Sequence, residues 1–176
     1  KDYNKLQNKV IAEIESKTGT EIVTAAHIFT KLVRLQQFTA GFTKTDTGAI
    51  KTLKWRPKFD ALMEKVDEIL YNDESVIIWC KFRPSIAMIS KELDLKHIKH
   101  YTMTGDDNQS DKYKKWKGFQ KSKNINVFVG QVSSGGIGIE LFKIDTEKEY
   151  QHMIFYENTF VLDDRDQAIG RADARL

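Results

Sequence analysis

Near the end of the chain Gln167, Arg171 and Arg175 recur at intervals of four. At roughly 100° per residue they stay within one helix face. Planar guanidinium groups on one face suit a polyphosphate whose charge is redistributing during phosphoryl transfer. The plainer account is an exposed helix laced by Asp–Arg pairs. A second segment, Gln131–Leu141 (QVSSGGIGIEL), follows a strand-like run. Ser133, Ser134 and the glycines at 135, 136 and 138 leave little side-chain bulk there. Backbone amides and hydroxyls can approach phosphate oxygens, with a helix N-terminus adding favourable partial charge. A Gly-rich turn after a strand is common, so this segment alone also fits an ordinary turn.

Charge is unevenly spread. The net charge of the 176 residues is only +3, yet six lysines stand between Asp111 and Lys123 against one aspartate. Lys51, Lys54, Arg56 and Lys58 form another basic stretch. Such clusters attract phosphate backbones, and they also serve as solvated helix faces. Trp55 beside Arg56 is either a loop anchor or a stacking residue. Tyr113, Trp116 and Phe119 are spaced for a helix face packed on a sheet, which favours core over base stacking. His97 and His100 have no ligand cluster around them, so no metal site is expected. Cys80, the single cysteine, forms no internal disulfide and fits a reducing, cytoplasmic setting. The longest apolar run, Val76–Cys80, is far too short to cross a bilayer, so no membrane partner is expected.

The elements that must position these groups follow from periodicity. Leu6, Val10, Ile11 and Ile14 mark one helix face. Thr20 can start a second helix carrying Ala25, Ile28, Phe29, Leu32, Val33 and Leu35. Gly41–Gly48 reads as a loop or hairpin. Pro57 opens a helix through Phe59, Leu62, Met63, Val66, Ile69 and Leu70. The pattern then alternates. Strands are expected at Val76–Cys80, Ile98–Met103, Ile125–Val129 and Met153–Tyr156. Helices are expected after Pro84, from a Ser110 cap, and from Asp163 or Asp164. Strands separated by helices pair in parallel, giving an α/β, three-layer fold whose ligands gather at the carboxyl ends of the strands.

Several blocks, in order, resemble the second RecA-like domain of superfamily-two helicases. The resemblance points most closely to the DNA-translocating ATPases related to the Swi/Snf chromatin remodellers, including bacterial and phage versions. LVRLQQFTAGF (Leu32–Phe42) looks like the helical segment before the domain core, and KFDALMEKVDEIL (Lys58–Leu70) like the helix leading to the first strand. VIIWCKFRPSI (Val76–Ile86) is similar to motif IV. YTMTGDDNQSDKYKKWKGF (Tyr101–Phe119) looks like the strand, Thr-Gly turn and helix ending in a packed Phe. VFVGQVSSGGIGIEL (Val127–Leu141) resembles motif V, and QAIGRADAR (Gln167–Arg175) resembles motif VI. The implied organisation is a helical lead-in over residues 1–42, a loop or linker over 43–56 and a RecA-like domain, truncated at its end, over 57–176.

The resemblance also implies roles. Ser133 and Ser134 would face the DNA backbone, and Thr104 and Gly105 would contact the tracking strand, with Arg83 or Lys81 contributing. Gly138 and Glu140 would lie near the ribose and metal side of ATP. Arg171 and a later arginine would act as arginine fingers, supported by Gln167. The family's second arginine falls three positions after the first, which here is Ala174; Arg175 lies about 40° from Arg171 by helix geometry and takes that role. No G-x-x-x-x-G-K-[ST] loop and no Asp-Glu magnesium pair occurs in the chain. The expectation is therefore a C-terminal motor domain sharing ATP and Mg with a first motor domain of the same polypeptide. That missing domain would hold the Mg ligands, and the isolated fragment would be silent. Duplex DNA, held by its backbone, is the expected partner. A non-catalytic nucleic-acid or protein binding module on the same fold, and a small-molecule α/β enzyme using the Ser133–Gly138 loop, remain alternatives.

Overall fold

Every residue of the run Ser75–Cys80 (SVIIWC) is buried. A strand without a polar face has to be covered on both sides, and the rest of the domain is arranged to do that. The computed structural model describes residues 25–45, 47–135 and 151–170. In chain order these form α1 (Ala25–Thr39), β1 (Phe42–Lys44), β2 (Ile50–Thr52), α2 (Pro57–Tyr71) and β3 (Ser75–Cys80). There follow α3 (Arg83–Leu95), β4 (His100–Met103), α4 (Gln109–Lys121), β5 (Val127–Gln131), a short 3-10 turn (Val132–Gly135), β6 (Gln151–Phe155) and α5 (Leu162–Gly170). The chain divides into two compact units, residues 1–60 and 61–176, with the break inside α2.

In the second unit four parallel strands lie in the order β4-β5-β3-β6. Ile77 pairs with Phe128 and Met153, and Trp79 with Gly130 and Phe155, so these residues share one face of the sheet. Met103, Phe119 of α4, Val132 and Ala168 of α5 complete the core on that face. Alternate residues, Val76, Ile78, Val127 and Val129, turn to the other face and are fully buried too. There α3, buried through Ile86, Ile89 and Leu93, packs against β3, β4 and β5. Gly130 is where the packing is tightest: a Cβ there would lie 2.5 Å from Cζ3 of Trp79. The missing side chain is the space the indole occupies.

The first unit contains an antiparallel hairpin, Phe42 opposite Thr52 and Lys44 opposite Ile50: of the loop or hairpin expected at Gly41–Gly48 it is the hairpin, and the stretch 43–56 expected as loop or linker is partly strand. Phe42 and Ala40 are buried, whereas Phe29 and Leu32 on α1 stay exposed. Gly41 has φ +93°, a conformation that disfavours any side chain. Its carbonyl accepts from the Leu53 N–H at 2.8 Å.

Several local expectations need correction: β5 runs Val127–Gln131 rather than Ile125–Val129, and β6 Gln151–Phe155 rather than Met153–Tyr156. The α4 cap is Asn108, not Ser110: its side chain accepts from the Asp111 N–H at 2.8 Å. An Asn places its carbonyl oxygen within reach of the third amide of the helix, which is what capping requires. Strand β4 starts at His100 rather than Ile98, because His97 takes φ +55° and the chain turns there. Tyr113 is 56% exposed, so only Trp116 and Phe119 of the aromatic stripe join the core. Among the described residues no helix is long and apolar enough to cross a membrane.

Candidate nucleic-acid interface

Three loops leave the carboxyl ends of β3, β4 and β5, and a chain of polar contacts joins them. After β4, the Thr104 N–H donates to Oδ2 of Asp107 at 2.8 Å and the Asp106 N–H to Oγ1 of Thr104 at 3.3 Å. Arg83, the first residue of α3, meets Asp106 at 2.7 Å. The Gly105 N–H donates to Oε1 of Gln131, the last residue of β5, at 3.0 Å. Ser134 in the 3-10 turn donates to the Gln131 carbonyl at 2.8 Å, and Nζ of Lys112 reaches the Ser134 carbonyl at 3.4 Å. Arg83, Thr104, Gly105, Ser133 and Ser134 thus lie at one edge of the sheet, brought there from three separate loops.

The charges at this edge are arranged in pairs. Asp107 holds Lys115 at 2.6 Å. Burial alone would raise the Asp107 pKa. The hydrogen bonds from Lys115 and the Thr104 N–H, with the charges of Lys115 and Lys112, outweigh that and hold the carboxyl below its ordinary value of 3.8. Lys114 and Lys121 project from α4 into solvent, as does Lys123 just beyond it. Gln131 and Asp107 were not among the sequence candidates. Their only signal was position, directly after a strand and within a Thr-Gly turn.

Gln167 lies exposed on α5, the helix that packs against the turn of Ser133 and Ser134. Gly138, Glu140, Arg171 and Arg175 lie outside the described residues.

No protein-family model matches the chain. Among curated proteins it is similar to the chromatin-remodeling ATPase INO80 of Eremothecium gossypii, 25% identical over 156 residues, which cover 83% of this chain and 10% of that protein. INO80 of Arabidopsis thaliana is 23% identical over 158 residues, 88% of this chain and 10% of that one. The chain therefore spans a tenth of the length of these curated relatives. Among solved structures, the Sulfolobus solfataricus SWI2/SNF2 ATPase core in complex with dsDNA superimposes with a TM-score of 0.67 at 15% identity, over 87% of this chain and 37% of that one. The C-terminal domain of the Sulfolobus solfataricus SWI2/SNF2 ATPase gives 0.63 at 17% identity, over 98% and 83%. The C-terminal part of the Fun30 ATPase domain gives 0.56 at 24%, over 65% and 36%. This is the fold of a SWI2/SNF2 ATPase C-terminal domain.

The sheet has a second half to its carboxyl edge, at β3 and β6, built on different physics. The Tyr156 N–H donates to the Trp79 carbonyl at 2.8 Å, extending the β3–β6 pairing past Phe155. Glu157 follows and is only 2% exposed. Its Oε2 accepts from the Lys81 N–H at 2.9 Å, and Oε1 accepts from the buried hydroxyl of Ser85. The N-cap residue of α3, Phe82, has no side chain able to cap, and the Glu157 carboxylate, just beyond β6, lies instead at the start of that helix, on the Lys81 N–H before it and the Ser85 hydroxyl in its first turn. Burial lowers the Lys81 pKa, and the attraction of Glu157 offsets part of that. The Lys81 ammonium lies 4.3 Å above the Phe160 ring. Glu157 was not among the sequence candidates. Only a carboxylate directly after a strand hinted at it.

Proposed function

We propose that this chain is the C-terminal lobe of an ATP-dependent DNA translocase, gripping one backbone of duplex DNA at the β4–β5 edge. The observation that carries this reading is the contact chain Arg83–Asp106–Thr104–Gly105–Gln131–Ser134–Lys112. It fixes donors from three loops beside a lysine-bearing helix, at the sheet edge where open parallel sheets bind ligands. Phosphate oxygens would exchange for the exposed acceptors that the Gly105 and Asp106 amides and Arg83 now hold, and Lys112 and Lys114 supply charge. The likeness to an ATPase core in complex with dsDNA supports the choice of partner.

On this reading Gly138, Glu140, Gln167, Arg171 and Arg175 serve a shared ATP site. A first motor domain supplies the lysine loop and the magnesium ligands, and this chain alone turns over no ATP. Bound ATP supplies the phosphoryl group whose transfer drives the cycle. This chain's part is to present cations to it and to hold DNA.

A labelled DNA duplex titrated with the chain over a salt series tests the grip. Affinity should fall steeply with salt, and Lys112→Glu should weaken binding and flatten the slope by about 0.9 per lost phosphate contact. Binding that ignores salt, or that Lys112→Glu leaves unchanged, would refute it.

A further inference from the structure

The first unit carries a surface that the duplex grip does not use. Trp55 is 70% exposed, although tryptophan is among the most deeply buried residues on average. It does not hang on a loose loop. On one side the Leu53 N–H is bonded to the Gly41 carbonyl at 2.8 Å. On the other, the Arg56 guanidinium stacks 4.2 Å over the Phe59 ring, and the Arg56 carbonyl accepts the Asp60 N–H at 2.9 Å as α2 begins. The Arg56 stem packs where a Gly41 side chain would stand, its Cγ 3.1 Å from that position. Arg56 is thus the anchor, and its neighbour is the residue turned to solvent. Along the same stretch Lys51, Lys54 and Lys58 are all exposed, with Lys44 exposed on the other face of the hairpin from Lys51; Asp60 is the one exposed acid among the described residues from Phe42 to Asp60.

We infer that this face is a second nucleic-acid site, taking an unpaired nucleotide. Trp55 stacks on the base, and Lys51, Lys54 and Lys58 hold the flanking phosphates. An exposed aromatic ring in a lysine-rich stretch with an anchored backbone is the composition of single-strand binding surfaces, where every base offers a π-face and each phosphate a charge. Duplex DNA keeps its base faces stacked, so the indole discriminates unpaired strands from paired ones. The choice of nucleic acid over other polyanions rests on the function proposed above, and the chemistry of the surface adds the requirement for a base.

The test titrates the chain with oligo-dT, with heparin and with phosphatidylserine vesicles, while following tryptophan emission. Oligo-dT should quench the emission of Trp55, and heparin, which has charge but no bases, should not. Trp55→Ala should weaken oligo-dT about tenfold, within the range for loss of one base–aromatic stack. Trp55→Phe should keep most of the affinity yet remove most of the quench, since Trp79 is buried and Trp116 is partly buried against the core; Trp116→Phe should leave the quench in place. Lys51→Glu with Lys54→Glu should lower oligo-dT affinity and its salt slope. Oligo-dT affinity unchanged in Trp55→Ala, equal quenching by heparin, or a response to vesicles alone would each overturn the site. Lys112→Glu separates the two proposals: it should impair duplex binding while the oligo-dT quench persists. Loss of duplex binding with the quench intact leaves this site standing, and the reverse removes it alone.

Discussion

The two halves of the sheet's carboxyl edge solve opposite problems. At β3 and β6 the polar atoms are dry: Glu157 and Ser85 are buried, and Glu157 accepts from both the Ser85 hydroxyl and the Lys81 N–H. At β4 and β5, apart from the half-buried Asp107–Lys115 pair, they are wet: Arg83 and Asp106 pair while more than half exposed, and Gly105 lies open to solvent. Buried polar groups cannot exchange partners without leaving a donor unpaired, whereas exposed ones can trade a partner for water or a phosphate. The dry half is suited to holding α3 in place. The wet half is suited to binding.

That contrast is easiest to break at Glu157. Glu157→Ala leaves the Ser85 hydroxyl and the Lys81 N–H without their acceptor in a buried place, and should cost about 3 kcal/mol in urea unfolding. A loss below about 1 kcal/mol would show that the dry half is not the structural one. At the seam between the halves, Gly130→Ala drives a methyl into Trp79 and should cost about 2 kcal/mol, with a change in the near-ultraviolet signal of that indole. An unchanged spectrum would mean that β5 moves aside freely.

The two halves should also titrate in different windows. Asp107 has a lowered folded pKa, so between that value and its ordinary 3.8 the unfolded chain binds more protons than the native one. Its contribution is present above that window and is lost as pH falls through it. Asp107→Asn should remove this acid-side dependence and cost about 1 kcal/mol at neutral pH. Lys81, also lowered, acts on the alkaline side: from its folded value up to 10.5 the unfolded chain again binds more protons, so stability rises with pH there. Lys81→Met should flatten that limb alone. Unfolding curves across pH for the two variants would settle whether each effect stays in its own half.

How much of this was readable beforehand follows the same division. The buried strand Val76–Cys80, the helix of Ile86, Ile89 and Leu93, and the parallel pairing came from apolar periodicity, since a core face repeats along the chain. The positions gathered at the wet edge were named from motif likeness, and the structure does bring Arg83, Thr104, Gly105 and Ser134 together. What periodicity misses is any partnership between residues far apart in sequence. Glu157 with Ser85, and Gln131 with Gly105, each depend on which strands become neighbours, and no local pattern encodes that. Tyr113 failed for a related reason: helical spacing places it near the core face, but its ring stays exposed, edge-on to Trp116 at 5.3 Å.

The smallest expected effect on stability sharpens the comparison most. Gln131→Ala removes the acceptor for the Gly105 N–H, but Gly105 is exposed, so water replaces the lost partner. Unfolding should shift by no more than about 0.5 kcal/mol. Duplex affinity should nevertheless fall several-fold, because Gln131 ties the Thr104–Gly105 turn to the strand that leads to Ser134. A binding surface made of exposed polar atoms depends on such ties for its geometry rather than for its folding energy. If Gln131→Ala lost stability and affinity in proportion, the wet edge would be scaffold like the dry one, and the division of labour along the sheet would fail.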